Sequence, residues 1–126
     1  MNAPRKLAFV VEDDPESRRI LRKYLEHLSF DVVEAATGKS ALSLLEQRIR
    51  PALVCLDLIL PELSGYEICE KIRASPRLAT VPVLVVSARS MPPDRALAEE
   101  LGANAYLVKP IRWKTFSQAV AELLPC

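Results

Sequence analysis

The stretch Leu53-Val-Cys-Leu-Asp57-Leu-Ile-Leu-Pro61-Glu-Leu-Ser-Gly65 decides the fold. Four apolar residues run directly into a carboxylate, and a proline and a glycine follow within eight residues. A short apolar run without alternation predicts a strand buried on both faces, as in a parallel sheet. Asp57 then stands at the carboxyl end of that strand, where ligand chemistry collects in open α/β sheets. Pro61 and Gly65 punctuate the loop beyond it. A carboxylate beside a core strand is costly unless something pairs with it, so the rest of the chain has to supply a partner.

Upstream, Leu7-Ala-Phe-Val-Val11 is a similar run, and it ends in Glu12, Asp13 and Asp14. Asp14-Pro15-Glu16 reads as a helix start, with Asp as N-cap, Pro at the first helical position and an acid in the first turn. That helix carries Ile20, Leu21, Tyr24, Leu25 and Leu28 on one face, at helical spacing. Arg18, Arg19, Arg22 and Lys23 lie on the other face, read as a solvated surface or a docking surface for a phosphodonor. His27, near the helix end, is read as exposed and idle. Asp31-Val-Val-Glu-Ala35 is a short second strand. Thr37-Gly38 opens a helix with Ala41, Leu42, Leu44, Leu45 and Ile49 inward, and Pro51 is expected to stop it.

Downstream of Asp57, a helix over 65–74 buries Tyr66, Ile68, Cys69 and Ile72. Val81-Pro-Val-Leu-Val-Val-Ser87-Ala88 is a fourth strand that ends in a hydroxyl. Pro92-Pro93-Asp94 begins a helix through Leu101, which Gly102 terminates. Ala105-Tyr-Leu-Val108 is a fifth strand, ending in Lys109-Pro110. Trp113 to Leu124 is the last helix. Five strand-helix units in succession predict a parallel sheet with helices on both faces. Four of the five strands end in groups that can do chemistry: Glu12-Asp13, Asp57, Ser87 and Lys109.

The 126 residues suit one domain, 1–126, with a core from about Leu7 to Leu124. Half of the residues are hydrophobic and the net charge is +1, so no global field draws the chain to nucleic acid or membrane. Direct nucleic-acid binding and membrane association are therefore not expected. The segment before Glu12 is too short for a signal peptide or a membrane span. Cys55, Cys69 and Cys126 show no metal-ligand spacing. Cys55 and Cys69 read as small buried hydrophobes in a reducing, cytoplasmic setting.

With Glu12, Asp13 and Asp57 around one pocket, any two carboxylates about 4 Å apart repel by roughly 4 kcal/mol at an effective dielectric of ~20. A divalent cation or a shared proton has to relieve this. Hard oxygen donors that leave positions for water and phosphate favour Mg²⁺. Lys109 adds a compact positive charge and Ser87 a hydroxyl. A nucleophilic carboxylate, a metal and two donors for an anion suit phosphoryl transfer to Asp57.

These residues together resemble a known family. Glu12-Asp13, Asp57 with Leu-x-x-Pro-x-x-x-Gly after it, Ser87-Ala88, Tyr106 and Lys109-Pro110 are similar to the receiver domain of two-component response regulators. The resemblance runs from Leu7 to Leu124 and includes chemotaxis-type regulators. It implies a flavodoxin-like doubly wound sheet in order 2-1-3-4-5, a strand order that comes with the family and that periodicity alone does not give. It also implies that Asp57 accepts a phosphoryl group from a histidine kinase or a histidine phosphotransfer protein. Asp13, Asp57 and the Ile59 backbone carbonyl would hold Mg²⁺, with Glu12 acting through water. Lys109 would pair with the phosphate, Ser87 would hydrogen-bond it, and Tyr106 would turn inward. Lys109-Pro110 would be a cis peptide. The fourth helix, fifth strand and last helix would present the output face to a downstream protein target or a fused output domain. The chain would be a signalling module and not a turnover enzyme, with self-phosphorylation and autodephosphorylation chemistry of its own.

Departures from the family pattern carry information. Glu12 stands where Asp is commonest, and Leu60 where Met is frequent. Ile59 and Arg89 flank the expected path of hydrolytic water. Ile59 cannot hydrogen-bond that water and Arg89 can cover a phosphate, so autodephosphorylation is expected to be slow. The Lys109-Pro110-Ile111 sequence lacks the Lys-Pro-Phe start common in winged-helix regulators, which points away from that class. A stand-alone receiver and one segment of a longer protein both remain open. A haloacid-dehalogenase-like phosphatase would need Asp-x-Asp spacing after the first strand, and a dinucleotide-binding domain a Gly-rich turn there; Glu12-Asp13-Asp14-Pro15 offers neither. The alternative from another class is a receiver-like module that docks proteins without phosphate.

Overall fold

The five expected strand-helix units all form in the computed structural model, which describes residues 5–124. They run β1 (Leu7–Val11), α1 (Pro15–His27), β2 (Asp31–Ala35), α2 (Gly38–Glu46), β3 (Leu53–Leu56), α3 (Gly65–Ala74), β4 (Val83–Ser87), α4 (Pro92–Glu100), β5 (Ala105–Val108) and α5 (Trp113–Leu123). The strands pair in parallel in the order β2-β1-β3-β4-β5. This is the flavodoxin-like order that the resemblance implied. The terminal segments, with Pro125 and Cys126, lie outside the described residues.

Local chemistry accounts for most helix starts. The Asp14 carboxylate accepts from Ser17 N at 2.9 Å, and Pro15 occupies the first helical position of α1. Thr37 and Ser40 form a reciprocal capping box at α2. Ser64 caps α3. Neither α4 nor α5 has a side-chain cap; Met91 and Arg112 stand at those positions. Two boundaries differ from expectation by more than one residue. Helix α2 stops at Glu46, well before Pro51, because Arg48 takes a left-handed φ of 64° and turns the chain first. Strand β4 begins at Val83 and not Val81, since Pro82 has no N–H to give a ladder.

Alternation within the strands splits the core into two layers. Phe9, Val11, Val54, Leu56, Val83 and Val85 face α2, α3 and α4. Ala8, Val10, Leu53, Cys55, Leu84 and Val86 face α1 and α5. Strands β1, β3 and β4 are thus buried on both sides, which is why their sequences read as continuous apolar runs. Cys55 is one of these core residues, and burial pushes its thiol up to about 12, so it packs as a hydrophobe and is no nucleophile. Gly65 is required by close approach. A Cβ there would stand 2.0 Å from the Asp57 carbonyl oxygen, and Gly65 N instead donates to Leu58 O at 2.9 Å. The start of α3 is thereby packed against the end of β3.

Candidate functional site

Strand register brings the functional ends level. Val11 pairs with Leu56 across β1 and β3, so Glu12 and Asp57 leave the sheet side by side. Asp57 N donates to Val11 O at 3.0 Å, and Glu12 N to Ala35 O at 3.0 Å. Ser87 pairs with Val108 across β4 and β5, and Lys109 N donates to Ser87 O at 2.8 Å. Backbone ladders therefore fix Glu12, Asp57, Ser87 and Lys109 at, or within one position of, a paired strand end.

Around these ends, one ammonium meets two buried carboxylates. Lys109 Nζ lies 2.6 Å from Glu12 Oε1 and 3.0 Å from Asp57 Oδ2. Glu12 is fully buried and Asp57 nearly so, while Asp13 is exposed at the mouth. One carboxylate oxygen from each of Glu12, Asp13 and Asp57 lies within 4.8 Å of the others. Glu12 Oε2 accepts from Asp14 N at 3.1 Å. Glu12 Oε1, by contrast, is buried and lacks an aligned donor, since the Lys109 contact is close in charge but outside hydrogen-bond geometry. Ile59 N donates to Asp57 Oδ1 at 3.2 Å, and the Ile59 side chain is half exposed.

The charge balance is unrelieved. Burial raises the Glu12 carboxyl from 4.5 to about 7, the Lys109 contact opposes that rise, and the Asp57 charge adds to it. Burial pulls the Lys109 ammonium down, but its contacts with Glu12 and Asp57 outweigh this and the net shift is upward. Three acids around one lysine leave an excess of negative charge that a dication can neutralise. The donor set is all oxygen, one acid is solvent-facing, and one buried carboxylate oxygen has no aligned donor. These residues fit a hard, partly hydrated divalent ion such as Mg²⁺.

The β4 side of the site is built differently. Ser87 is fully buried, and its hydroxyl accepts from Arg89 N at 3.2 Å. Tyr106 lies on the outer side, where its hydroxyl donates to Arg89 O at 2.8 Å. The Arg89 guanidinium pairs with Asp94 Oδ1 at 3.2 Å, and the Tyr66 hydroxyl donates to the same oxygen at 3.1 Å. Arg95 stacks over the Tyr106 ring at 5.1 Å. Arg89 therefore faces Asp94 and not Asp57. Sequence reading did not place Asp94 and Tyr66 at this site; the Tyr66–Asp94 contact joins residues 28 apart and leaves no local signature.

The basic face of α1 is only partly solvated. Arg18 and Arg22 both pair with Glu34 of β2, and Arg18 Nη1 also donates to Glu12 O at 2.9 Å and Asp13 O at 3.4 Å. Arg19 and Lys23 stay exposed. His27 takes part in packing: its ring meets Trp113 edge-on at 4.9 Å, and Tyr24 meets the same indole at 5.3 Å. Lys109-Pro110 is a cis peptide. No helix among the described residues is long and apolar enough to cross a membrane.

Comparison with known proteins extends this picture. The family model for the response regulator receiver domain matches residues 8–121. The chain is 38% identical to a probable transcriptional regulator, ycf27, of Porphyridium aerugineum, over 91% of this chain and 46% of that relative. The chain spans about half the length of the ycf27 relatives it matches. Among solved structures, it superposes with a TM-score of 0.88 at 27% identity on the receiver domain of a sensor histidine kinase from Pseudomonas aeruginosa. That superposition covers 98% of this chain and all of that one, which was solved with a magnesium ion coordinated in its active site cleft. A phosphorylated cyanobacterial phytochrome response regulator, RcpA, superposes at a TM-score of 0.82 and 29% identity, over 95% and 91% of the two chains. With the parallel sheet, the acidic cluster and the family match in agreement, the chain belongs to the response regulator receiver domain family of two-component signalling.

Proposed function

We propose that Asp57 is the phosphoacceptor of this receiver, and that its phosphorylation switches the surface formed by α4, β5 and α5. Receiver domains are signalling modules that bind Mg²⁺ at an acidic pocket and work with histidine kinases and output domains. The observation that carries the reading is the placement of Asp57 Oδ2 3.0 Å from Lys109 Nζ, beside Glu12 and Asp13. Asp13, Asp57 and the Ile59 carbonyl are assigned to hold Mg²⁺, with Glu12 acting through water. When bound, the ion supplies charge neutralisation for the incoming phosphoryl group.

The chain's own residues then have separate tasks. An Asp57 oxygen forms the new P–O bond as the P–N bond of a phosphohistidine breaks, and the imidazole takes up a proton. Lys109 follows the charge to a phosphate oxygen. The Ser87 hydroxyl turns from Arg89 N to another phosphate oxygen, which frees the loop after β4. Tyr106 then gives up Arg89 O and moves inward. A groove lined by Ser17, Ile20, Pro110 and Ile111 opens beside Lys109, and a histidine kinase or histidine phosphotransfer protein would approach there. The altered face acts on a downstream protein or a fused output domain. Similarity to the ycf27 regulators favours an output in transcription.

The test is incubation with acetyl phosphate and Mg²⁺, read by intact mass. One added phosphoryl group, absent in Asp57→Asn and in chelator, is the expected result. A folded protein that takes up neither phosphate nor beryllofluoride would leave the phosphate-independent docking module as the better reading. Autodephosphorylation should be slow, because the half-exposed Ile59 side chain offers hydrolytic water no polar atom and Arg89 can swing from Asp94 to cover the phosphate. Ile59→Asn should shorten the phosphoryl half-life; an unchanged half-life would remove Ile59 from the account.

A further inference from the structure

Arg18 occupies a place that the helix dipole alone disfavours. It lies near the start of α1, and helical side chains lean toward the N-terminus. Its guanidinium is thus carried to the positive end of the helix dipole, where anions are preferred. What holds it there is a set of acceptors. Nη1 donates to Glu12 O at 2.9 Å and, at greater length, to Asp13 O at 3.4 Å. Nε donates to Glu34 Oε1 at 3.2 Å. The side chain is mostly buried, with about a fifth of its surface exposed.

The two carbonyls belong to the two acids that leave β1 for the pocket. Those acids and Asp57 bring three like charges within 4.8 Å, and the loop must be held against that repulsion. We propose that Arg18 is the positioning residue of the acid loop: Nε is anchored on Glu34 while Nη1 of the same planar fork holds the Glu12 carbonyl and, more loosely, that of Asp13, so that their carboxylates stay turned toward Asp57. Glu34, at the far side, fixes the fork and offsets its charge. Arg22 is a built-in control. It shares Glu34 and donates to Val32 O, but touches neither acid. The inference rests on the metal reading of Glu12, Asp13 and Asp57, and its test separates the two.

The experiment compares the wild type, Arg18→Ala, Arg18→Lys and Arg22→Ala by calorimetric titration with MgCl₂. Amide hydrogen exchange over residues 11–17 is followed beside it in chelator, with no metal. Arg18→Ala should bind Mg²⁺ about tenfold more weakly or worse, as when a ligand's outer support is removed, and its loop amides should exchange faster. Arg18→Lys should resemble it, because an ammonium keeps the charge but not the fork. Arg22→Ala should stay near the wild type in both readouts. The proposal is overturned if Arg18→Ala keeps or gains Mg²⁺ affinity, if Arg18→Lys matches the wild type, or if Arg22→Ala loses as much. If the wild type takes up no Mg²⁺, the metal reading fails, and the exchange comparison alone decides whether Arg18 positions the loop.

Discussion

Helix α3 begins under a serine cap, whereas α4, on the same face of the sheet, begins under none and shares only the clamp that Arg73 of α3 closes on Gly102 behind its last turn. Ser64 caps α3, and Ile68, Cys69 and Ile72 are buried beneath it. At its last turn, Arg73 donates to Val81 O at 2.7 Å, to Gly102 O at 2.8 Å and to Asn104 Oδ1 at 2.8 Å. Helix α4 starts at an uncapped Met91 and buries Ala98 alone. Full burial of an isoleucine stabilises by roughly 1.5–3 kcal/mol, so α3 holds several kcal/mol of packing that α4 lacks. The start of α4 is tied down through Asp94, by one exposed ion pair and one tyrosine hydroxyl. The difference teaches which part of the site is frame and which part can move. Asp57 stands against the rigid element, and Ser87, Arg89 and Tyr106 border the loose one.

The comparison breaks most easily at the core. Ile72→Ala on α3 should cost about 2–5 kcal/mol, by lost transfer energy and a residual cavity. Leu97→Ala on α4, where the side chain is 40% exposed, should cost under ~1 kcal/mol. Urea denaturation of the two variants measures the contrast, and equal losses would erase it. A smaller effect of opposite sign is expected at Met91, whose backbone is already extended as a cap requires. Met91→Ser should add about 1 kcal/mol of stability and slow amide exchange in the first turn of α4. No gain would mean that this turn is not the weak point. The smallest stability change is expected for Asp94→Asn. Exposed ion pairs contribute little, so stability should shift by less than ~0.5 kcal/mol. Exchange over residues 88–95 should nonetheless quicken, while Mg²⁺ affinity stays at the wild-type value. A loss of Mg²⁺ affinity would show that the loose region reaches into the frame.

Much of this architecture is legible in the sequence, and the reasons are local. Strand β3 reads from Leu53 to Asp57 because a strand covered on both faces needs apolar residues at every position. Asp14-Pro15 and Thr37-Gly38 mark helix starts because the first helical N–H groups need acceptors. The α2 boundary misleads because Arg48 adopts a left-handed turn that a residue of its type seldom takes. Arg18 reads as part of a solvated or docking face, although a cation so near a helix N-terminus is a signal that something else holds it. Arg89 reads as a partner for phosphate, and its pairing with Asp94 shows only when α4 is placed.

By itself, then, the sequence determined the succession of strands and helices, and the collection of Glu12, Asp13, Asp57, Ser87 and Lys109 at strand ends. Periodicity and capping act over a few residues, so they are written in neighbouring letters. The tertiary structure decided which acids share Lys109, that Arg18 braces the backbone of two of them, and that Gly65 must be bare to pass the Asp57 carbonyl. Those facts depend on strand register and on close approach between segments far apart in the chain, where an error of one residue would move every partner out of reach.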